Sequence, residues 1–367
     1  MAYSAIAAIV SEPGGPFSLE AVDLDDLQAH EVLVKIAACG ICHTDLKFQS
    51  RLPLPGVFGH EGTGTVEAVG SSVKDVSVGD RVILSYPWCG ECPLCNDGEP
   101  YRCENIPALK FGGSRRDGSS PIRLDGEEIT GAFFQQSSFA THAVAHEHTV
   151  VRVETDQPSE MLAALPCGVQ TGAGAVINTF SVDAGDSLVV FGVGAVGLSA
   201  IMAGRMLNAS PIIAIDMVES RLELAQELGA DHALNAADPD LVRQVGALLP
   251  HGAKFALDCS ATVPALKNAI EIIGQGGKVG IFSAPPPGQT FEFTTRGLFE
   301  KVASLHSIVQ GYSVPSKFIP ELIRYQEQGV FPYERLVTTY RFADINDAIA
   351  DAKRGQAIKP VLLMGDE

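Results

Sequence analysis

Positive charge is scarce in this sequence. Among 367 residues, 26 Lys and Arg stand against 44 Asp and Glu, a formal net charge of −18. That balance argues against nucleic acid or an anionic membrane as a partner, because both are held by basic faces. Its plain meaning is solubility. No uninterrupted apolar run approaches the roughly 20 residues that a bilayer crossing needs. The start, Met1-Ala2-Tyr3-Ser4, lacks a basic leader, so no signal peptide is expected. With no secretion signal, the eight cysteines point to metal binding in a reducing cytoplasm and not to a disulfide framework.

A hydrophobic content of 46% with 19% charged residues suits a chain with a real core. The length suggests about two domains. The 37 Gly and 22 Pro imply many turns and a large β component. Strands are predicted at Ala5–Val10, Glu31–Ile36, Thr63–Val69 and Arg81–Leu84, with a turn at Gly14-Gly15-Pro16. Short strands at close spacing predict a partly closed β-barrel. The polar stretch 110–130 reads as a surface loop.

Two cysteine groups carry chemistry. Cys89, Cys92, Cys95 and Cys103 are spaced C-x2-C-x2-C-x7-C. Four thiolates so close can shut tetrahedrally on one zinc, leaving no position for chemistry. The metal then replaces a core that the lobe is too short to build. An iron–sulfur cluster takes the same ligands. The second group is dispersed: Cys42-His43-Thr44-Asp45, Gly59-His60-Glu61-Gly62 and Pro166-Cys167-Gly168. A Cys/His/Cys set suits zinc and leaves a fourth position open for water or substrate. His142, His146 and His148 lie on strand-like flanks without acidic or thiol partners, so they are expected to face solvent and bind no metal.

From about residue 185 strands and helices alternate. Ser187–Phe191 is a buried strand, followed by Gly192-Val193-Gly194-Ala195-Val196-Gly197 and a helical run to Leu207. The next strand, Pro211–Asp216, ends on an acid; helix Arg221–Leu228 and strands Phe255–Asp258 and Lys278–Phe282 follow. This alternation predicts a doubly wound parallel sheet. A glycine motif after a strand, opening a helix, with an acid at the end of the next strand is a dinucleotide fingerprint. Gly192 permits the tight turn, Gly194 lets backbone approach a pyrophosphate, and Gly197 lets helix pack on strand. Asp216 would bind the ribose hydroxyls and repel a 2′-phosphate, favouring NAD over NADP. Arg221 weakens that preference, since it could reach the same ribose. The tail holds predicted helices at Ser316–Gln328 and Asp344–Lys353 and a strand at Lys359–Leu363. It is too short to fold alone and is expected to return to the first domain, leaving a ligand cleft between domains.

Taken together, these segments resemble the zinc-dependent medium-chain alcohol dehydrogenases over essentially the whole chain. Phe133–Thr141 and Cys167–Gly174 bring the aryl-alcohol branch closest. The resemblance implies a GroES-like barrel domain over 1–168 carrying the lobe 89–103, a Rossmann domain over 169–308, and a return of 309–367 to the first. It implies one catalytic zinc on Cys42, His60 and Cys167, one structural zinc on Cys89, Cys92, Cys95 and Cys103, and NAD. Glu61 would stand near the metal, Asp45 would fix the tautomer of His60, and Thr44 would take the alcohol proton. His43, Arg221 and Lys359 match cofactor contacts, His43 and Lys359 near the pyrophosphate, and Thr171 lies near the nicotinamide. Cys39 is expected to be a buried thiol. Where well-known members carry a terminal histidine in the proton relay, this sequence has Lys47, a poor base near its ordinary pKa of ~10.4. Water or a depressed Lys47 would serve instead.

Phe133, Phe134 and Ser85 match pocket positions. Aromatic walls with extra room suit a flat primary alcohol such as a benzyl, cinnamyl or allylic terpene alcohol, although aromatics also fill interiors. The expected partner is therefore a small-molecule alcohol or aldehyde, with assembly into a dimer or tetramer. The competing readings are a dehydrogenase of another alcohol class (aliphatic, secondary, polyol or formaldehyde-type) and a zinc-binding redox sensor. A sensor leaves Thr44, Asp45, Glu61 and the glycine loop unexplained.

Overall fold

The fold was read from a computed structural model that describes residues 3–283, 290, 292–293 and 295–365. The chain divides into two compact units. One comprises Met1–Cys167, Val314–Arg324 and Tyr333–Glu367; the other comprises Gly168–Ser313 and Tyr325–Pro332.

In the first unit, strand Glu31–Gly40 is the axis. Its burial alternates only over Val34–Ala38 and is continuous at both ends. It pairs antiparallel with Gly62–Val69, His142–His146 and Lys359–Leu363. Arg81–Leu84, Val150–Arg152 and Val337–Arg341 complete a seven-stranded sheet. A five-stranded sheet holds Tyr3–Val10, Ser18–Leu24, Gly56–Val57, Ile122–Leu124 and Glu127–Glu128. The two sheets enclose one core that includes Ile9, Val34, Phe58, Leu84, Phe133 and Phe139. Strand Ser18–Leu24 escaped the sequence reading because five of its seven residues face solvent.

In the second unit, six strands form one parallel sheet, in the order His232–Asn235, Ile212–Asp216, Leu188–Phe191, Ala253–Asp258, Ile273–Ile281, Ser304–Ser307. Numbered along the chain this order is 3-2-1-4-5-6, the doubly wound dinucleotide-binding arrangement. Leu188–Phe191 and Ile212–Asp216 are buried throughout, as continuous apolar runs in a sheet covered on both faces require.

Two expectations need correction. The stretch 110–130 is not wholly a surface loop, for Lys110, Arg115 and Ser120 are buried. Arg115 is held inside by a two-pronged pair to Glu31, with Nε–Oε1 at 2.8 Å and Nη2–Oε2 at 2.9 Å, a partner too distant in sequence for local pattern to show. His142, His146 and His148 are half-buried and do not point freely to water. His146 stacks on His30 and His148 on Trp88, the latter pair nearly parallel at 5.3 Å. Helix Ser159–Thr179 has an average apolarity sufficient to span a bilayer, but 78% of its apolar window is buried inside the protein. Polar residues such as Gln170 and Thr171 interrupt it, so the expectation of no unbroken apolar run of that length stands.

Candidate active site

Cys42 precedes the short helix His43–Lys47. Asp45 on that helix folds back so that its Oδ2 accepts the amide of Cys42 at 2.9 Å. Its other oxygen accepts the amide of Gly59 at 3.1 Å and lies 2.7 Å from His60 Nδ1. Asp45 is fully buried, and three donors share its charge. The hydrogen bond assigns the His60 proton to Nδ1 and turns the Nε2 lone pair outward. That Nε2 is enclosed and has no hydrogen-bond partner.

Cys42 Sγ lies 3.9 Å from Cys167 Sγ. Ligand atoms of Cys42, His60, Glu61 and Cys167 all fall within 4.8 Å of one another. Two thiolates on a tetrahedral zinc stand ~3.8 Å apart, given Zn–S of about 2.3 Å. The sulfur spacing and the orphaned imidazole nitrogen therefore fit a zinc ion. The contact with Cys167 holds the Cys42 thiol well below its usual range, against the opposing effect of burial. Burial also opposes charge on His60, yet the neighbouring Asp45 raises it to about 10. Such a set gives up protons to a cation. Thr44 Oγ1 is 3.7 Å from Cys42 Sγ, and His43 and Lys47 are exposed.

Glu61 is fully buried and both its oxygens meet Lys359 Nζ at 2.7 Å. Lys359, expected beside a pyrophosphate, is thus engaged by Glu61. Burial lifts Glu61 to about 7 even though Lys359 pulls it down. Cys39 is the expected buried thiol, pushed far up by burial, with Ser138 Oγ at 3.2 Å.

Phe134 stacks on the His60 ring, with centroids 4.3 Å apart and planes at 24°. Its backbone is left-handed, as are Gln135 and Ser137. Buried side chains impose that turn: Ser137 Oγ accepts the amide of Phe133 at 2.9 Å and donates to the Val57 carbonyl at 2.7 Å. Phe133 packs 5.8 Å from His60 and belongs to the core cluster, so these aromatics serve both core and site. Ser85 is buried, donates to the Pro166 carbonyl at 3.3 Å, and its own carbonyl accepts Gln136 Nε2 at 3.0 Å. Lys110, on helix Ile106–Phe111, was missed; its ammonium lies over the rings of Tyr86 and Phe134.

In the lobe, Cys89, Cys92, Cys95 and Cys103 also gather within 4.8 Å. Cys89 and Cys95 sulfurs are 3.8 Å apart, and backbone amides of Cys92 and Cys89 donate to Cys89 and Cys103 sulfurs at 3.3 Å. Such amides stabilise thiolates, which fits a closed tetrahedral site.

In the second unit, Gly192 turns with φ +83 between strand and helix. A Cβ on Gly197 would stand 2.1 Å from the Gly192 carbonyl oxygen, whereas a Cβ on Gly194 would meet nothing within 4 Å. The space over Gly194, at the start of helix Ala195–Met206, is where a pyrophosphate would sit. Asp216 accepts the amides of Val193, Met217 and Val218 at 2.8, 2.8 and 3.0 Å. Nε of Arg221 is buried without a partner. Thr171 Oγ1 donates to Gln310 at 3.4 Å.

The profile of the alcohol dehydrogenase GroES-like domain matches residues 28–155, and that of the zinc-binding dehydrogenases matches 195–325. A geraniol dehydrogenase from Castellaniella defragrans is 43% identical, covering 98% of each chain. Two crystal structures superpose closely. A zinc-binding-domain alcohol dehydrogenase from Burkholderia ambifaria is 42% identical, covers 100% of both chains and gives a TM-score of 0.97. A benzyl alcohol dehydrogenase from Acinetobacter calcoaceticus is 41% identical, covers 99% of this chain and 100% of its own, and gives 0.95.

Proposed function

Since the chain belongs to the zinc-dependent medium-chain alcohol dehydrogenases, we propose that it oxidises allylic or aryl primary alcohols to aldehydes with NAD. The observation that carries this is the buried, partnerless Nε2 of His60 beside two sulfurs at zinc spacing. The substrate class is supported by similarity to a geraniol and a benzyl alcohol dehydrogenase and by the aromatic cluster of Phe111, Phe133 and Phe134 against His60.

In this reading Cys42, His60 and Cys167 would hold the catalytic zinc, and the four lobe cysteines the structural one. Zinc held there would supply Lewis acidity towards an alcohol oxygen, and NAD would supply the hydride acceptor. Asp45 keeps the His60 proton on Nδ1 and so keeps Nε2 free for the metal. Thr44 receives the alcohol proton at its hydroxyl oxygen. Lys47 is exposed at the end of the same helix, so water can complete the relay without it. Glu61, balanced by Lys359, stands at the edge of the ligand set. Gly192, Gly194, Gly197, Asp216 and Arg221 cradle the dinucleotide, and Asp216 sets the preference for NAD. His43 and Thr171 are read as further cofactor contacts, Lys359 being engaged by Glu61.

The test is NADH formation with geraniol, benzyl alcohol and ethanol, zinc being measured on the same sample. Higher kcat/KM for the first two supports the proposal. Equal values for all three, or activity that survives zinc removal, overturn it.

A further inference from the structure

Lys110 is only 4% exposed, and a buried lysine ordinarily has a carboxylate beside it. Among the described residues this one has neither an ion pair nor a hydrogen bond. Its company is aromatic. Nζ lies 5.0 Å from the centroid of Tyr86 and 5.5 Å from that of Phe134, within the ~6 Å over which a ring face attracts a cation. The fully enclosed side-chain atoms without partners are Gln49 Nε2, His60 Nε2, Thr179 Oγ1 and Arg221 Nε. Lys110 Nζ is not among them, so it keeps a little accessible surface.

Its place relative to the site is set through Phe134. Phe134, which it overlies, stacks on the His60 imidazole at 4.3 Å. A desolvated cation so placed attracts π electron density and gains nothing from a saturated chain of equal size.

Resting on the function proposed above, we propose that Lys110 is a specificity-determining residue, whose ammonium, already over Tyr86 and Phe134, offers a cation to the π face of the alcohol and so selects allylic and aryl substrates over saturated ones. Geraniol and benzyl alcohol share little shape, but both carry π electrons next to the carbinol carbon. One cation beside the His60–Phe134 stack would recognise either.

The experiment compares benzyl alcohol with cyclohexylmethanol, a saturated alcohol of similar size, on zinc-loaded wild type, Lys110→Met and Lys110→Arg. Lys110→Gln substitutes for Lys110→Met if the latter does not accumulate. The expected result is that the ratio of kcat/KM for benzyl alcohol over cyclohexylmethanol falls about tenfold in Lys110→Met. The fall should come through KM for benzyl alcohol, and Lys110→Arg should recover most of it. An equal loss for both alcohols shows support of the fold only and overturns the proposal, as does an unchanged ratio. A wild type that oxidises neither alcohol sinks the parent reading and this one with it; an active wild type with an unmoved ratio sinks this one alone.

Discussion

Lys110→Met should stabilise the protein at neutral pH, and the gain should vanish in alkali. Burial lowers the ammonium from 10.5 to about 8, although the thiols of Cys167 and Cys103 pull it upward. At ~1.4 kcal/mol per unit, that depression amounts to ~3 kcal/mol of destabilisation while the unfolded chain is protonated. The sign follows from proton binding. Between about 8 and 10.5, the unfolded chain holds the proton and the folded chain has released it. Stability therefore rises with pH across that window, and the full penalty is present below it. Methionine fills a similar volume without charge and removes the penalty. Urea unfolding of wild type and Lys110→Met across this pH range isolates the effect, because every other titrating group cancels in the difference. The expected gap is ~2–3 kcal/mol at neutral pH, closing towards pH 10.5. A gap that does not change with pH, or a less stable variant at neutral pH, would refute the reasoning. A residue that costs this much stability is most easily understood if it serves function.

Other outcomes follow from the same geometry. Glu31→Ala takes the two-pronged partner from the buried Arg115 guanidinium, leaving it Asp25 at 3.8 Å and the Asp26 carbonyl at 3.1 Å, and should cost ~3 kcal/mol in unfolding experiments. Gly194→Ala should fold normally yet bind NADH weakly by fluorescence titration, since its methyl group meets only the open cradle; Gly197→Ala should also lower the melting temperature, because its methyl group would stand 2.1 Å from a carbonyl oxygen. Asp45→Asn should weaken retention of the catalytic zinc by ~10–100-fold against a chelator, while the lobe zinc stays put.

Four strands of the parallel sheet were legible because each carries a run of apolar residues punctuated by glycine or an acid; the edge strands His232–Asn235 and Ser304–Ser307 escaped because they are short, polar and largely uncovered. The hydrogen bond from His60 to Asp45 followed from the resemblance, and the bond length agrees. Less legible were contacts that depend on distant partners. Lys359 reaches Glu61 across 298 positions and Arg115 reaches Glu31 across 84; nothing local in either segment marks it. Lys110 sits in a polar stretch whose average character hid one residue facing inward. The histidines 142–148 misled for a related reason: their partners, His30 and Trp88, lie elsewhere in the chain.

The central claim is that Cys42, His60 and Cys167 hold a catalytic zinc separate from that of the lobe. Zinc per chain, measured on wild type and His60→Ala alongside NADH formation from benzyl alcohol, tests it most directly. With two ligand clusters present, wild type should carry two zinc ions and His60→Ala one, the variant remaining folded but inactive. A His60→Ala protein that keeps both ions, or that still oxidises the alcohol at the wild-type rate, would contradict it.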